Sequence, residues 1–410
     1  MAMEDIHNVA PGMVLADNIV TPNGRLILPR GVVLKDSHIN YLKKWGIARV
    51  NVQAETPFKG AQSQLRRMLT EEIESFLIPM YACNDLQNPL VESIYGAALD
   101  RLLNRAVKGW KVPKKQVSMP VNDGSLRDQF FVGEFSLEDL ISHEVDLASF
   151  PDIYFKVYEA INSSRSNADY LARVISNDIS LCAKLLRLVN SPFYGLRTRV
   201  DSISRAIALV GADELSTLAL GISAISAFKD IPPQLIDMKS FWSHSVAVGI
   251  LCRRMAGLAS LPGEKMFVGG LLHDMGRLII FKKMPAAASE AIIYSQTNLL
   301  PLVEAEKDIF RFDHAQAGAA LARAWNLPDF LQDQLGRHHD QGRMDSPEAA
   351  LTHLADFMAA GMLFAEKGSL VLPPLNQSCL ESAGLETNML EQIVSDVENE
   401  FNAVVSIFFS

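Results

Sequence analysis

The sequence predicts a mainly α-helical protein, a large helical bundle preceded by a small α+β module and a helical pair. Three observations predict it. Beyond residue 56, apolar residues recur at spacings of three and four, the period of helices with a buried face. Strand and hairpin signals are concentrated in the first 53 residues. In addition, histidines and aspartates are embedded in strongly apolar segments, as expected of a bundle built around a polar site.

Composition narrows the function. The chain has 410 residues, 49% of them hydrophobic and 21% charged, enough for two or three domains with a large core. A net charge of −9 argues against a protein that coats nucleic acid. Cys83, Cys182, Cys252 and Cys379 are scattered without a C-x-x-C pair and suit reduced core positions in the cytoplasm. The N-terminus has no signal-peptide pattern, and no apolar run approaches the roughly 20 residues of a membrane span. A cytoplasmic location is therefore expected.

Residues 1–55 form the expected α+β module. GMVLADNIV and RLILP read as strands around TPNG, whose Asn23-Gly24 pair is a hairpin signal. Ser37 can cap a helix over HINYLKKWG that Gly46 stops, followed by a strand IARVNVQ. Residues 56–110 read as a helical pair. Leu65, Met68, Leu69, Ile73, Phe76 and Leu77 keep core spacing, which suits a hairpin or a homodimer contact. Residues 101–115 carry six positive charges and no negative one, most simply a solvated helix end running into a linker over 111–133.

Residues 134–365 form the main helical domain, with Pro232-Pro233 preceding its second half, 234–365. In the first half Ala172, Ile175, Ile179, Cys182, Ala183, Leu186 and Val189 keep core spacing, and Asn190 is expected to be buried, bonding helix ends together. Residues 366–410 form a C-terminal helical extension without Lys or Arg after Lys367. Leu390, Ile393, Val394, Val397, Phe401, Val404, Val405 and Phe408 form one stripe there, able to pack on the bundle or a second copy, with the acidic face solvated.

The chemistry-bearing residues lie in the second half. GGLLHDMGRL, residues 269–278, places His273-Asp274 in a run that reads as one buried helix, with Gly269 and Gly270 admitting another backbone. A buried carboxylate beside an imidazole needs a partner, and a divalent cation serves both. His244, His314, His338, His339 and Asp356 are further candidate ligands in similar context, with His353 one turn before Asp356 as a supporting residue. Mixed imidazole and carboxylate ligands suit iron, manganese or zinc better than calcium or magnesium. Seven ligands allow one or two ions.

The order of these motifs resembles the HD superfamily, and residues 136 to about 365 resemble an HDOD domain, the HD-related output domain of bacterial signalling proteins. FPDIYFKVYEAI, the ISNDISLCAKLLRLVNSPFYGLRTRVDSISRAIALVGADEL stretch, FWSHSVAVG, GLLHDMGRL, FDHAQAGAALARAWNLP, RHHD and HLAD follow in that family's order. The module before residue 55 resembles one preceding some HD-GYP phosphodiesterases. The resemblance implies metal at His244, His273, Asp274 and Asp356, with His314, His338 and His339 matching a second-metal position. If the protein is an enzyme, it implies Asp274 bridging metals or orienting water, and Arg277 binding substrate phosphate where relatives carry Lys. Two departures stand out: DQGRMDSP follows His338-His339 without G-Y-P, and Ser240 stands where a third metal would need a carboxylate. The expected function is a signal-transduction output protein acting on a signalling partner or a nucleotide. The alternative is a metal-dependent phosphohydrolase acting on a nucleotide or cyclic nucleotide. Nucleic acid is disfavoured as a partner.

Overall fold

In a computed structural model the chain is described continuously over residues 57–113, 126–128, 136–142, 168–225, 231–365, 371–394 and 397–409, with shorter pieces before 57 and between 153 and 160, and residue 228. Two compact units divide at Glu71/Glu72.

The first unit holds all the strands among the described residues. β1 (Ala2–Asp5) pairs antiparallel with β4 (Arg49–Val52), Ala2 opposite Val52, while β2 (Ile19–Val20) pairs antiparallel with β3 (Leu26–Leu28). Alternation along these strands sends Ile19, Val50 and Val52 into a small core with Ile6, Leu15, Leu34, Ile39 and Leu42. The expected hairpin is present, although its Asn23-Gly24 turn, the Ser37 cap and the Gly46 stop lie outside the described residues. β1 was not anticipated from sequence.

α1 (Pro57–Met80) spans the division between units, and α2 (Pro89–Val107) follows. Asn88 starts α2 by accepting hydrogen bonds from the Leu90 and Val91 amides. Ile73 and Leu77 of α1 are buried as expected, whereas Leu65 and Met68 are exposed. The basic run is partly structural. Arg101 donates to Glu398 at 2.6 Å and to the Met362 and Leu363 carbonyls at 2.8 Å. Arg105 lies over the Trp110 ring. Lys114 and Lys115 lie outside the described residues.

α3 (Leu137–Ser142) is followed by a compact group: α4 (Ala168–Ser176), α5 (Ile179–Val189), α6 (Ile203–Val210) and α7 (Ala212–Ile225). Most of FPDIYFKVYEAI lies outside the described residues. Asn190 joins segments as expected, donating to the Leu186 and Val200 carbonyls and accepting from the Val200 amide, each bond to Val200 being 2.7 Å. It does so at the surface rather than in the core, because its loop runs over the outside of the helices.

The centre of the second unit is α8 (Met238–Ala259) against α9 (Gly263–Leu272). Their contact requires glycine on both sides. A Cβ on Gly270 would stand 2.9 Å from the Gly249 Cα, and one on Gly249 would stand 2.7 Å from the Phe267 carbonyl oxygen. Around this pair lie α10 (Met275–Lys283), α11 (Pro285–Asn298), α12 (Leu302–Phe310), α13 (His314–Ala324), α14 (Asp329–Arg337) and α15 (Pro347–Gly361). Asp128, from the expected linker, accepts from the Ala286 and Ala287 amides at the start of α11.

Three short helices complete the chain: α16 (Ser378–Ala383), α17 (Leu390–Val394) and α18 (Val397–Phe408). The C-terminal stripe therefore belongs to two helices, and its own chain covers it: Leu390, Ile393, Val397, Phe401 and Val404 are buried. The acidic face is not wholly solvated, because Glu400 pairs with Arg254 at 2.9 Å and Glu398 with Arg101. Among the described residues no single helix is long and apolar enough to cross a membrane.

Candidate metal centre

Packing of α8, α9, α13, α14 and α15 brings all seven predicted ligands to one place. Asp274, His314, His338 and His339 offer ligand atoms within 4.8 Å of one another, as do His244, His273 and Asp356. The doublet is not within one helix, as the sequence suggested. His273 ends α9 and Asp274 starts α10, with φ −93° and ψ 8° at Asp274. The break lets both side chains face the cluster and places the carboxylate at a helix N-terminus, whose dipole favours negative charge. The apolar periodicity runs on across the break, so the sequence gives no sign of it.

Three of the five imidazoles, those of His273, His314 and His338, are oriented from behind. His273 Nδ1 lies 2.7 Å from the Gly270 carbonyl oxygen, His338 Nδ1 lies 2.8 Å from that of Leu335, and His314 Nδ1 lies 2.5 Å from Glu306 Oε2. With Nδ1–H donating to those oxygens, Nε2 presents a lone pair to the centre, the arrangement found in metal-ligating histidines. Glu306 is the functional residue that sequence reasoning missed. It is buried on α12 and also accepts from the His314 amide at 3.0 Å. Its signal was slight, an acidic residue in register with Val303 and Phe310 on the apolar face.

Inside the ring, with the imidazoles neutral and protonated on Nδ1, acceptors face acceptors. His314 Nε2 is 3.1 Å from Asp274 Oδ1, His273 Nε2 is 3.5 Å from Asp274 Oδ1 and 3.6 Å from Asp356 Oδ1, and His338 Nε2 is 3.8 Å from Asp274 Oδ1. His244 Nε2 lies 2.9 Å from Asp356 Oδ1, and His339 Nε2 lies 3.0 Å from His314 Nε2. His273 Nε2, His338 Nε2 and both Asp274 oxygens are buried with no hydrogen-bond partner within the protein. Arg277 turns inward rather than outward. Its Nη1 is 2.9 Å from Asp274 Oδ2 in an unaligned ion pair, and its Nη2 is 3.4 Å from His314 Nε2. The edge of the site is slightly open, with 14% of the His244 side chain and 11% of the Asp356 side chain exposed.

The charges explain the titration pattern. Asp274, Asp356 and Glu306 set three negative charges against the one of Arg277, a net of −2 with neutral imidazoles. Burial opposes charge on Asp274 and Asp356, yet Arg277, His273 and His314 hold Asp274, and His244 and His273 hold Asp356, well below the usual carboxylate range. Burial and Arg277 oppose a proton on His314, but Glu306 and Asp274 outweigh them and raise its pKa to about 9. His273 also rises: burial works against the proton, while Asp274 and Asp356 prevail. Burial pushes His338 down to about 3 and His339 well below its ordinary value, with neighbouring histidines adding to both shifts. Burial likewise lowers the pKa of His353, whose Nδ1 donates to the His338 carbonyl at 2.7 Å while its Nε2 accepts from the Asn376 amide at 2.9 Å. His353 thus steadies the turn that carries two of the candidate ligands. With neutral imidazoles the cluster is short of two positive charges, a deficit that protons on His314 and His273 offset in the metal-free protein, and its nitrogen and oxygen donors fit a divalent iron, manganese or zinc ion.

Residues 147–341 match the family model for the HDOD domain. The chain is 28% identical over 203 residues to an uncharacterized protein of Treponema pallidum (strain Nichols), a match covering 48% of this chain and 38% of that protein. It is also 28% identical over 204 residues to the uncharacterized protein YuxH of Bacillus subtilis (strain 168), covering 47% of this chain and 48% of YuxH. The chain thus spans less than half the length of these curated relatives. An HDOD domain protein of unknown function from Geobacter sulfurreducens shares the fold, with a TM-score of 0.54 at 22% identity over 67% of this chain and 100% of that one.

Proposed function

The chain carries an HDOD domain, and on that premise we propose that it is a signal-transduction output module whose helical bundle binds a signalling protein or a nucleotide. In this reading it works in the cytoplasm, as a monomer or homodimer, and a divalent ion makes the bundle rigid. Iron, manganese or zinc would be held by His244, His273, Asp274, His314, His338, His339 and Asp356. The observation that carries the reading is the set of inward-facing, unpartnered acceptors around a buried site of net charge −2. Elemental analysis of protein purified without chelator tests it, alongside melting of stripped protein with added manganese, iron or zinc. Bound metal and a rise in Tm are expected, and both should vanish in Asp274→Ala. A wild-type chain with neither would leave the polar cluster purely structural.

A second reading, a metal-dependent phosphohydrolase acting on a nucleotide or cyclic nucleotide, is favoured by the open edge at His244 and Asp356. A bound ion would supply Lewis acidity toward a phosphoryl oxygen and acidify water. Here Asp274 would hold a water or bridge ions, and Arg277 would reach phosphate only by leaving Asp274. Against it, the segment after His339 is tied down rather than formed into a substrate loop: the Asn376 side chain donates to the Asp340 and Gly342 carbonyls. Release of phosphate from nucleotides, or of a linear nucleotide from cyclic ones, by manganese-loaded protein and absent in Asp274→Asn would establish the hydrolase. No turnover across the panel leaves the output module.

A further inference from the structure

Resting on the metal-binding reading above, we propose that Arg277 is a resident cation for one half of the site, so that the chain holds a single divalent ion and Arg277 sets that number. The seven ligands fall into two groups, each large enough for an ion. The groups differ in what stands beside them. His244, His273 and Asp356 have no Lys or Arg nitrogen within ion-pair distance of Asp356 among the described residues. Asp274, His314, His338 and His339 have Arg277, with Nη1 2.9 Å from Asp274 Oδ2 and Nη2 3.4 Å from His314 Nε2.

Charge decides how many ions the site accepts. With Arg277 in place the buried groups sum to −2, which one divalent ion cancels. A second would leave +2 in a site whose side chains are nearly all buried, and an uncompensated buried charge is strongly unfavourable. Without the guanidinium the sum is −3, and two ions leave only +1, which one hydroxide or substrate oxygen balances. The inward turn of Arg277 also fits a structural cation better than a free phosphate-binding fork. Its Nε is buried without a partner, so the guanidinium is committed to the cluster at the expense of one of its own hydrogen bonds. The single ion therefore sits on the His244, His273 and Asp356 side of the site, the more exposed one, with Asp274 between it and Arg277: Oδ1 lies 3.5 Å from His273 Nε2 and Oδ2 lies 2.9 Å from Arg277 Nη1.

The test is the metal count of stripped full-length protein reloaded with manganese(II) and desalted, for wild type, Arg277→Met and Arg277→Lys. Expected are about one ion per chain in wild type, about two in Arg277→Met, and about one in Arg277→Lys, which keeps the charge. Electron paramagnetic resonance gives a second reading on the wild type alone: isolated manganese is expected, not a spin-coupled pair. This keeps the proposal open to refutation if Arg277→Met does not fold. Two ions in wild type, or one in folded Arg277→Met, would overturn the role of Arg277 and leave metal binding intact. No ion in any variant would overturn the metal reading itself, and this proposal with it.

Discussion

Two polar clusters share α8 and α9, and they are built on opposite terms. One gathers around Arg253. Its Nη1 donates to the Phe193 carbonyl at 2.8 Å, its Nη2 lies 3.6 Å from Glu264, and its guanidinium covers the Phe193 ring at 4.1 Å. The Tyr194 hydroxyl approaches Glu264 at 3.4 Å. Donors meet acceptors there and the charges cancel. The other cluster begins nine residues earlier on α8, at His244, and sets acceptors against acceptors with two negative charges left over. Polarity inside a helical bundle therefore does not by itself mark a site. A closed cluster latches one helical layer to the next, whereas an open one asks for something from outside.

The largest expected effect comes from breaking the open cluster at its most shared ligand. Asp274→Ala should weaken manganese or zinc binding at least about 100-fold, measured by calorimetric titration. It should also remove the metal-dependent stabilisation, about 2.7 kcal/mol at a ligand concentration 100 times Kd in the wild type. Next comes the residue behind a ligand. Glu306→Gln keeps the shape but removes one of the three negative charges that the ion and Arg277 balance, and metal affinity should fall roughly 10-fold while the fold survives. If affinity is unchanged, Glu306 is only a buried structural partner.

Breaking the closed cluster should have the reverse signature. Arg253→Met should lower stability by about 1–2 kcal/mol in urea unfolding, through lost hydrogen bonds and ring contact, and leave metal affinity unaltered. A change in metal affinity would mean that the two clusters are coupled through α8. The smallest effect is a slope with pH in metal-free protein. His314, with its pKa raised to about 9, contributes stability that is full below its unfolded value near 6.5 and lost as pH rises toward 9. His338, lowered to about 3, contributes stability that is full above 6.5 and lost as pH falls toward 3. Stability should therefore peak near pH 6.5, each group adding a slope of at most about 1.4 kcal/mol per pH unit. Denaturant midpoints across that range check the sign on either side.

Much of this was legible because the signals are local. Helical spacing in stretches such as the one from Ala172 to Val189 marks buried faces, and each of the seven candidate ligands announces itself as an ionisable residue in an apolar run. What was not legible depends on segments far apart in the chain. β1 pairs with a strand more than 40 residues away and has no hairpin turn to betray it. Glu306 looks like part of an ordinary amphipathic helix until α13 covers it. The break between His273 and Asp274 is invisible because the apolar period continues through Met275 and Leu278. Arg277 read as a phosphate binder from the resemblance alone, although Asp274, three residues earlier, already stands at ion-pair spacing on a helix.

The hydrogen bonds of Asn376 have a consequence for how this fold can be cut and inherited. The Asn84 side chain holds the Pro373 carbonyl and the Leu375 amide, the Asn376 amide holds His353, and His353 holds the His338 carbonyl. Four of those residues, and Asp356, lie beyond residue 341, where the family match ends, and Asn84 lies before residue 147, where it begins. The cluster is thus no portable cassette. A recombination event that moved only residues 147–341 would transplant six of the seven candidate ligands and leave behind the last carboxylate and the brace on the His338-His339 turn. Such a graft would inherit the signature of the family without a finished site. In chimeras the natural crossover points lie before Asn84 and after the C-terminal helices.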